Sequence, residues 1–282
     1  MQIVRTLLGL REAVNTYKAA NERIAFVPTM GNLHAGHLKL VEEAKLSADR
    51  VVASIFVNPT QFGVGEDFAA YPRTEVEDEQ KLAVAGVDLL FLPSVDDMYG
   101  DSAKTVISVK NLSTLHCGAS RPGHFDGVAT VVCKLFNRVQ PNLAFFGRKD
   151  FQQLVIIRAM TKDLDFPIEI KSVETIRESD GLAMSSRNSY LGLEERKTAP
   201  KLYQALCAAR DEMLMGKKAV QAIEQDAKIF LQDAGFIPDY FTVCRASDLL
   251  NARQEDTDLV VLAAAKLGKT RLIDNIAFTV AR

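Results

Sequence analysis

The chain has 282 residues, 48% hydrophobic and 25% charged, with a formal net charge of −2. That length supports one large or two modest domains with real cores, and the near-neutral charge excludes a broad basic surface for nucleic acid. No apolar run reaches the roughly 18 residues of a membrane span, so no membrane association is expected and a polyanionic ligand would need a few placed cations and backbone amides.

The first twenty residues form an amphipathic pattern that includes Glu12 and Lys18, with no small-residue cleavage site, so no secretory signal is expected. Ile24–Val27 is a short apolar strand ending at Pro28. His37–Asp49 has helical spacing, Val51–Val57 is a continuous β-rich run, and Val76–Ala85 is helical again. Val87–Leu92 reads as a strand, Val128–Val139 as a buried helix, Leu143–Phe146 as a strand, Phe151–Leu164 as a helix and Ile168–Val173 as a strand. Continuous apolar strands alternating with helices predict an α/β fold: a Rossmann-like, doubly wound parallel sheet over residues 1–176, with ligands beyond the carboxyl ends of the strands.

After residue 176 the pattern changes. Two long helices, Leu193–Met215 and Ala219–Ala234, are followed by short strands at Phe241–Cys244, Leu259–Ala263 and Thr270–Ile273. Residues 177–282 thus read as a smaller C-terminal α+β domain, a lid over the site, with Arg177–Asn188 as the joint. Cys117, Cys133, Cys207 and Cys244 are far apart without a C-x-x-C pair, as expected of free thiols in a reducing, cytoplasmic setting.

Four segments carry polar groups at strand ends. Pro28 to His37 reads P-T-M-G-N-L-H-A-G-H, directly after the first predicted strand and opening a helix. His34 and His37 are three apart and so face one side, next to the free N–H groups and positive dipole of a helix N-terminus. Two imidazoles there suit triphosphate oxygens; the alternatives are half of a metal site or plain structural histidines. Gly36 is read as letting the backbone approach a ligand, and no acidic residue adjoins the motif. Asn58-Pro-Thr-Gln61 ends the second predicted strand, and the Gln61 amide can both donate and accept. Gly147-Arg148-Lys149-Asp150 ends another strand, with Lys149 facing a phosphate, Asp150 as helix cap or ribose acceptor, and Gln153 one turn on. Met184-Ser185-Ser186-Arg187 lies in the joint, where an arginine fork and two hydroxyls suit a polyphosphate clamp.

In combination these segments resemble the pantothenate synthetase (pantoate–β-alanine ligase) family of the H-x-G-H nucleotidyltransferase superfamily. The likeness extends to Tyr71-Pro-Arg-Thr74, Ser120-Arg-Pro-Gly-His-Phe125, Lys134-Leu-Phe-Asn137 and Arg271-Leu-Ile-Asp-Asn275, and covers nearly the whole chain. It implies that ATP and pantoate form pantoyl adenylate and pyrophosphate with Mg²⁺, and that the β-alanine amine then displaces AMP, in a homodimer. It implies an ATP site of Met30, Gly31, Asn32, Leu33, His34, Ala35, Gly36 and His37, with Gly147, Arg148, Lys149, Asp150, Ile176, Met184, Ser185, Ser186 and Arg187. His37 has the acid role, aided by His34, Lys149 and Arg187. Gln61 and Gln153 match the pantoate contacts, Gln61 also the β-alanine contact, and Asp78 a position linked to Mg²⁺. Arg148 and Ala35 stand where the family often has acidic residues, which leaves their surroundings open. A nucleotidyltransferase that stops at a phosphate acceptor and a non-catalytic nucleotide-binding module are the rival readings. A carboxylate attacking a phosphate needs positioning and charge neutralisation rather than a protein nucleophile, and the sequence offers those groups.

Overall fold

The computed structural model describes residues 1–101, 103–253 and 255–281. The chain up to Val173 builds six parallel strands: β1 (Gln2–Val4), β2 (Ile24–Thr29), β3 (Arg50–Ile55), β4 (Leu89–Phe91), β5 (Leu143–Gly147) and β6 (Glu169–Val173). Their order across the sheet is β1-β4-β3-β2-β5-β6. The chain therefore winds outward from β2 through β3 and β4, then returns to β2's other side at β5. That reversal opens a crevice beyond the carboxyl ends of β2 and β5, where an open α/β sheet binds its ligands.

The helices on this sheet are α1 (Leu7–Ala19), α2 (Ala35–Ser47), α3 (Glu75–Ala85), α4 (Val95–Tyr99), α5 (His116–Ser120), α6 (His124–Val139) and α7 (Phe151–Asp163). Both faces of the sheet are covered, and side chains alternate between two cores. Ile24 and Phe26 of β2, with Ala144 and Phe146 of β5, join Leu10, Val14, Leu135 and Phe136 under α1 and α6. Ala25 and Val27, with Leu143 and Phe145, face Leu40, Val41, Ala44 and Leu82 under α2 and α3. Doubly covered strands explain why the sequence shows continuous apolar runs rather than alternation.

Residues beyond β6 form α8 (Leu193–Thr198), α9 (Lys201–Met215), α10 (Val220–Asp233) and a separate antiparallel sheet of β7 (Phe236–Arg245), β8 (Asp258–Leu267) and β9 (Thr270–Thr279). One face of this sheet packs on α9 and α10 through Leu202, Leu206, Ile223, Leu231, Val243 and Val261. The other face meets α7 of the first sheet: Cys244, Leu249, Val260 and Leu262 pack with Phe151 and Val155. The second unit is thus fastened to the first by an apolar seam.

Three expectations change. The helix expected over Leu193–Met215 is two helices, because Pro200 lacks an N–H and cannot continue the first one. The last three strands are ten residues each, longer than expected. The core of β8 contains Ala263, Ala264 and Ala265, residues that do not advertise a strand but fit between two packed layers. The H-x-G-H segment follows the second strand in the chain, not the first, since the three-residue β1 pairs only with β4 at the sheet edge.

Candidate active site

Two turns at the reversal point and the joint between the units enclose a cavity of about 850 Å³. Lining it are Met30, His34, Gly36 and His37 after β2, Gln61 after β3, and Gly147, Lys149, Asp150 and Gln153 after β5. Ile176, Met184, Ser185, Ser186 and Arg187 of the joint line it too. Gly31, Asn32, Leu33, Ala35 and Arg148, expected at the ATP site, do not line it. Leu33 is 3% exposed in the apolar core, and Asn32 bridges the turn to the joint, its carbonyl accepting the Ser186 hydroxyl at 3.1 Å. Arg148 turns away, bonding Glu174 and Ser172.

His34 is the N-cap of α2, and its Nδ1 accepts the Gly36 N–H at 3.1 Å. His37 Nδ1 accepts the His34 N–H at 3.3 Å, and the two ring centroids are 4.1 Å apart. With both Nδ1 atoms accepting, each neutral ring carries its proton on Nε2. A side chain at Gly36 would bring its Cβ within 2.9 Å of the His34 ring, so this glycine makes room for the imidazole as well as lining the cavity. Burial, followed by the Lys149 charge, lowers the His34 pKa to about 4. Burial, followed by the charges of His34 and Lys149, lowers that of His37 to about 3. In the ligand-free cleft both rings are therefore neutral at pH 7, each with an Nε2–H to offer, and phosphate charge beside them would raise both values.

Lys149 sits on the one-turn helix between β5 and α7, its Nζ 3.8 Å from Asp150. Asp150 occupies the N-cap of α7 but makes no capping bond, leaving its carboxylate half-exposed. Asn275 of β9 donates to the carbonyls of both Arg148 and Lys149, at 2.9 and 2.8 Å. Beside it, Asp274 accepts from Arg177 at 2.6 and 3.0 Å, and the Arg177 guanidinium stacks 3.5 Å over Tyr203. The small domain therefore holds the Lys149 turn from behind.

In the joint, Ile176 O accepts the Met184 N–H, and Ser185 Oγ accepts the Arg187 N–H. The Arg187 fork, expected on phosphate, is taken by Asp67 through two 2.9 Å bonds. A two-pronged phosphate grip through that same edge requires the pair to part, while Nη1 keeps its own donors.

The Gln61 side chain is 8% exposed, with Oε1 accepting from Asn58 and Nε2 against the Met30 sulfur at 3.0 Å. The Gln61 main-chain carbonyl accepts from His124 Nδ1 at 2.7 Å, while Arg121 bridges His124 Nε2 and Glu66. Burial, then Arg121, lowers the His124 pKa to about 4. The sequence reading assigned no role to Asn58, Asp67, Arg121, His124 or Asn275; for Arg121 and His124 the signal was the S-R-P-G-H-F motif itself.

Asp78 departs furthest from expectation. Its side chain is fully buried, and both oxygens accept main-chain N–H groups of the H-x-G-H turn, from Asn32 and Leu33. The motif does have an acidic neighbour, from 45 residues further along the chain. A carboxylate so enclosed and hydrogen-bonded does not fit as a Mg²⁺ ligand. Among the described residues, no group of three or more His, Cys, Asp or Glu side chains is arranged to hold a metal, and no helix is long and apolar enough to cross a membrane.

Residues 2–277 match the family described as Pantoate-beta-alanine ligase. The pantothenate synthetase of Shewanella sp. (strain ANA-3) is 56% identical over 274 residues, 95% of this chain and 96% of that protein. That of Pseudomonas entomophila (strain L48) is 54% identical, covering 98% and 97%. The crystal structure of pantothenate synthetase from Thermus thermophilus superposes with a TM-score of 0.92 at 46% identity, over 98% of this chain and 99% of that one. The Francisella tularensis pantoate-beta-alanine ligase, crystallised with beta-gamma ATP and beta-alanine, gives 0.83 at 34% identity, over 98% and 97%.

Proposed function

This chain belongs to the pantoate–β-alanine ligase family, and from that we propose how its cleft performs the family's two-step chemistry. The reaction is the ATP-dependent condensation of (R)-pantoate with β-alanine to pantothenate through pantoyl adenylate, releasing AMP and pyrophosphate. The observation that supports this assignment of roles is convergence: the imidazoles of the β2 turn, Lys149 of the β5 turn and the hydroxyls of the joint line one cavity with Gln61 and Gln153.

In the first step a pantoate carboxylate oxygen bonds to the α-phosphorus, and the bond from that phosphorus to the bridging oxygen breaks as pyrophosphate leaves. Negative charge builds on the oxygens between the α- and β-phosphates. The Nε2–H groups of His34 and His37 donate to it, and Lys149 neutralises it, inside a site already shaped for the purpose. Neutral imidazole donors suffice because pyrophosphate needs no proton to depart. Ser185, Met184 and the backbone at Ile176 hold the nucleotide, Asp150 reaches a ribose hydroxyl, and Arg187 adds its fork once Asp67 releases it. Gln61 and Gln153 hold pantoate. In the second step the free amine of β-alanine, entering past Gln61, bonds to the acyl carbon, the acyl–phosphate C–O bond breaks to release AMP, and the proton shed by the nitrogen passes to the departing phosphate or to water. Mg²⁺ would be held by the phosphates of ATP itself, where it would neutralise part of their charge, and the described residues of the second unit cover the cleft.

The same reading places the enzyme in the cytoplasm as a homodimer. All four cysteines are free, Cys117 and Cys244 buried as core residues, and sedimentation reads the assembly directly. The decisive experiment supplies the purified protein with pantoate, β-alanine and ATP. Pantothenate and AMP in equal amounts, with AMP released only when the amine is present, support the reading; ADP as product, or pyrophosphate exchange without pantoate, overturns it.

A further inference from the structure

We propose that Asp78 is a positioning residue for the adenylation step: its enclosed carboxylate clamps the turn that carries His34 and His37, and it is not a ligand of Mg²⁺. The inference rests on the adenylating role given to those two histidines.

The turn needs an external clamp. Between the end of β2 at Thr29 and the start of α2 at Ala35 the backbone passes through two consecutive left-handed residues, Gly31 at φ +83° and Asn32 at φ +49°. Asparagine enters that region more readily than most residues, but still at a cost. A chain turning so sharply aims the N–H groups of residues 32 and 33 away from both β2 and α2, and buried N–H groups require acceptors.

Asp78, in the first turn of α3, supplies both. Oδ2 accepts the Asn32 N–H at 2.7 Å and the Thr74 hydroxyl at 3.1 Å. Oδ1 accepts the Leu33 N–H at 2.8 Å and lies 3.8 Å from Lys81 Nζ. Lys81 in turn donates to the Leu33 carbonyl at 2.8 Å. Helix α3 thus grips both peptide groups that flank Leu33. The next residue is His34, whose N–H orients the His37 ring. Contact between clamp and turn is tight, for a Cβ on Gly31 would lie 3.1 Å from Asp78 Oδ2.

A metal ligand would present the opposite arrangement. A hard cation needs carboxylate oxygens with open lone pairs and room for several water molecules. Here each oxygen holds a short main-chain bond, and the side chain is 0% exposed. Binding there would tear the turn off its clamp.

Pantoate-dependent ATP–pyrophosphate exchange, titrated with Mg²⁺, separates the two roles. In Asp78→Asn one oxygen becomes an NH₂ group facing a main-chain N–H, so the turn loses an acceptor at equal volume. The expected result is a kcat lower by about 30-fold or more, KM values for ATP and pantoate within about 3-fold of wild type, and a half-saturating Mg²⁺ within about 2-fold. A rise of about tenfold in half-saturating Mg²⁺, with the wild-type rate restored at high Mg²⁺, would make Asp78 a metal ligand and overturn the proposal; so would an unchanged kcat.

Should circular dichroism show Asp78→Asn unfolded, Lys81→Met carries the test, since that side chain is 41% exposed. It should lower kcat by about fivefold with little change in KM, and cost clearly less than that in a His37→Ala background, where only His34 remains to be positioned. An unchanged rate, or losses that simply multiply, defeats the proposal. Wild-type protein in the same assay keeps the two levels apart. No exchange in wild type defeats the functional reading, whereas wild-type exchange with unaltered variants defeats only the role of Asp78.

Discussion

The six-stranded sheet and the three-stranded sheet contribute to the same cleft in different ways. The parallel sheet presents polar groups to the cleft at its carboxyl edge, where three of its strands end in turns that bring side chains to the cavity: His34 and His37 after β2, Gln61 after β3, Lys149 after β5. The antiparallel sheet mainly holds. Asn275 grips the carbonyls behind Lys149, Asp274 fixes Arg177, and an apolar face seals the unit against α7. Reactive groups come from short local turns, and their precision comes from residues distant in the chain. Such division is expected where a transition state must find donors already in place.

The comparison breaks if a presenting group proves dispensable. His37→Ala should lower pantoate-dependent exchange by about 10²-fold or more, the scale for one lost transition-state donor. Unaltered exchange would remove His37 from the mechanism. It sharpens if a holding group acts only through what it holds. Asn275→Ala should lower kcat/KM for ATP by about tenfold, with little added loss in a Lys149→Ala background. Asn275→Asp should be worse than Asn275→Ala, because a carboxylate would face two carbonyl oxygens. Losses that multiply would mean Asn275 serves the fold at large.

A smaller effect separates the two substrate ends of the cleft. Gln61→Ala should raise the KM for pantoate by about fivefold and that for ATP by less. The reverse order would move the acid to another pocket.

The smallest effect is on stability. His34, His37 and His124 all have native pKa values lowered by burial, to about 4, 3 and 4. Between their ordinary value near 6.5 and those values the unfolded chain binds more protons than the native one, so stability falls as pH falls. The stabilisation is fully present above about pH 6.5 and is lost on acidification through the native values. The melting temperature of the ligand-free protein should drop steadily from pH 7 toward pH 4, and His37→Gln should flatten part of that slope. A melting temperature independent of pH over that range would mean that the rings remain solvated.

Much of this was legible in the sequence, for identifiable reasons. Strands buried on both faces leave uninterrupted apolar runs, so the parallel sheet and its reading as a nucleotide fold came from local pattern. The H-x-G-H segment declared itself because its three-residue spacing and its helix start are local too. Where the reading missed, the cause was distance or context. The break at Pro200 sat inside a strongly periodic run, and the alanines of β8 suit a strand only once two layers enclose them.

The amino-acid order by itself determined the α/β class, the change of pattern near residue 176 and which segments bring polar side chains to the cleft, because each is written within ten or fifteen neighbouring residues. Only the tertiary structure decided that Asp78 clamps the histidine turn, that Arg187 is held by Asp67, that Arg148 faces away, and that Asn275 supports Lys149 from the other domain. Those contacts join residues as far as 126 positions apart. Hydrogen bonds of that kind are set by where packing brings backbone and side chain together, and no local pattern records it.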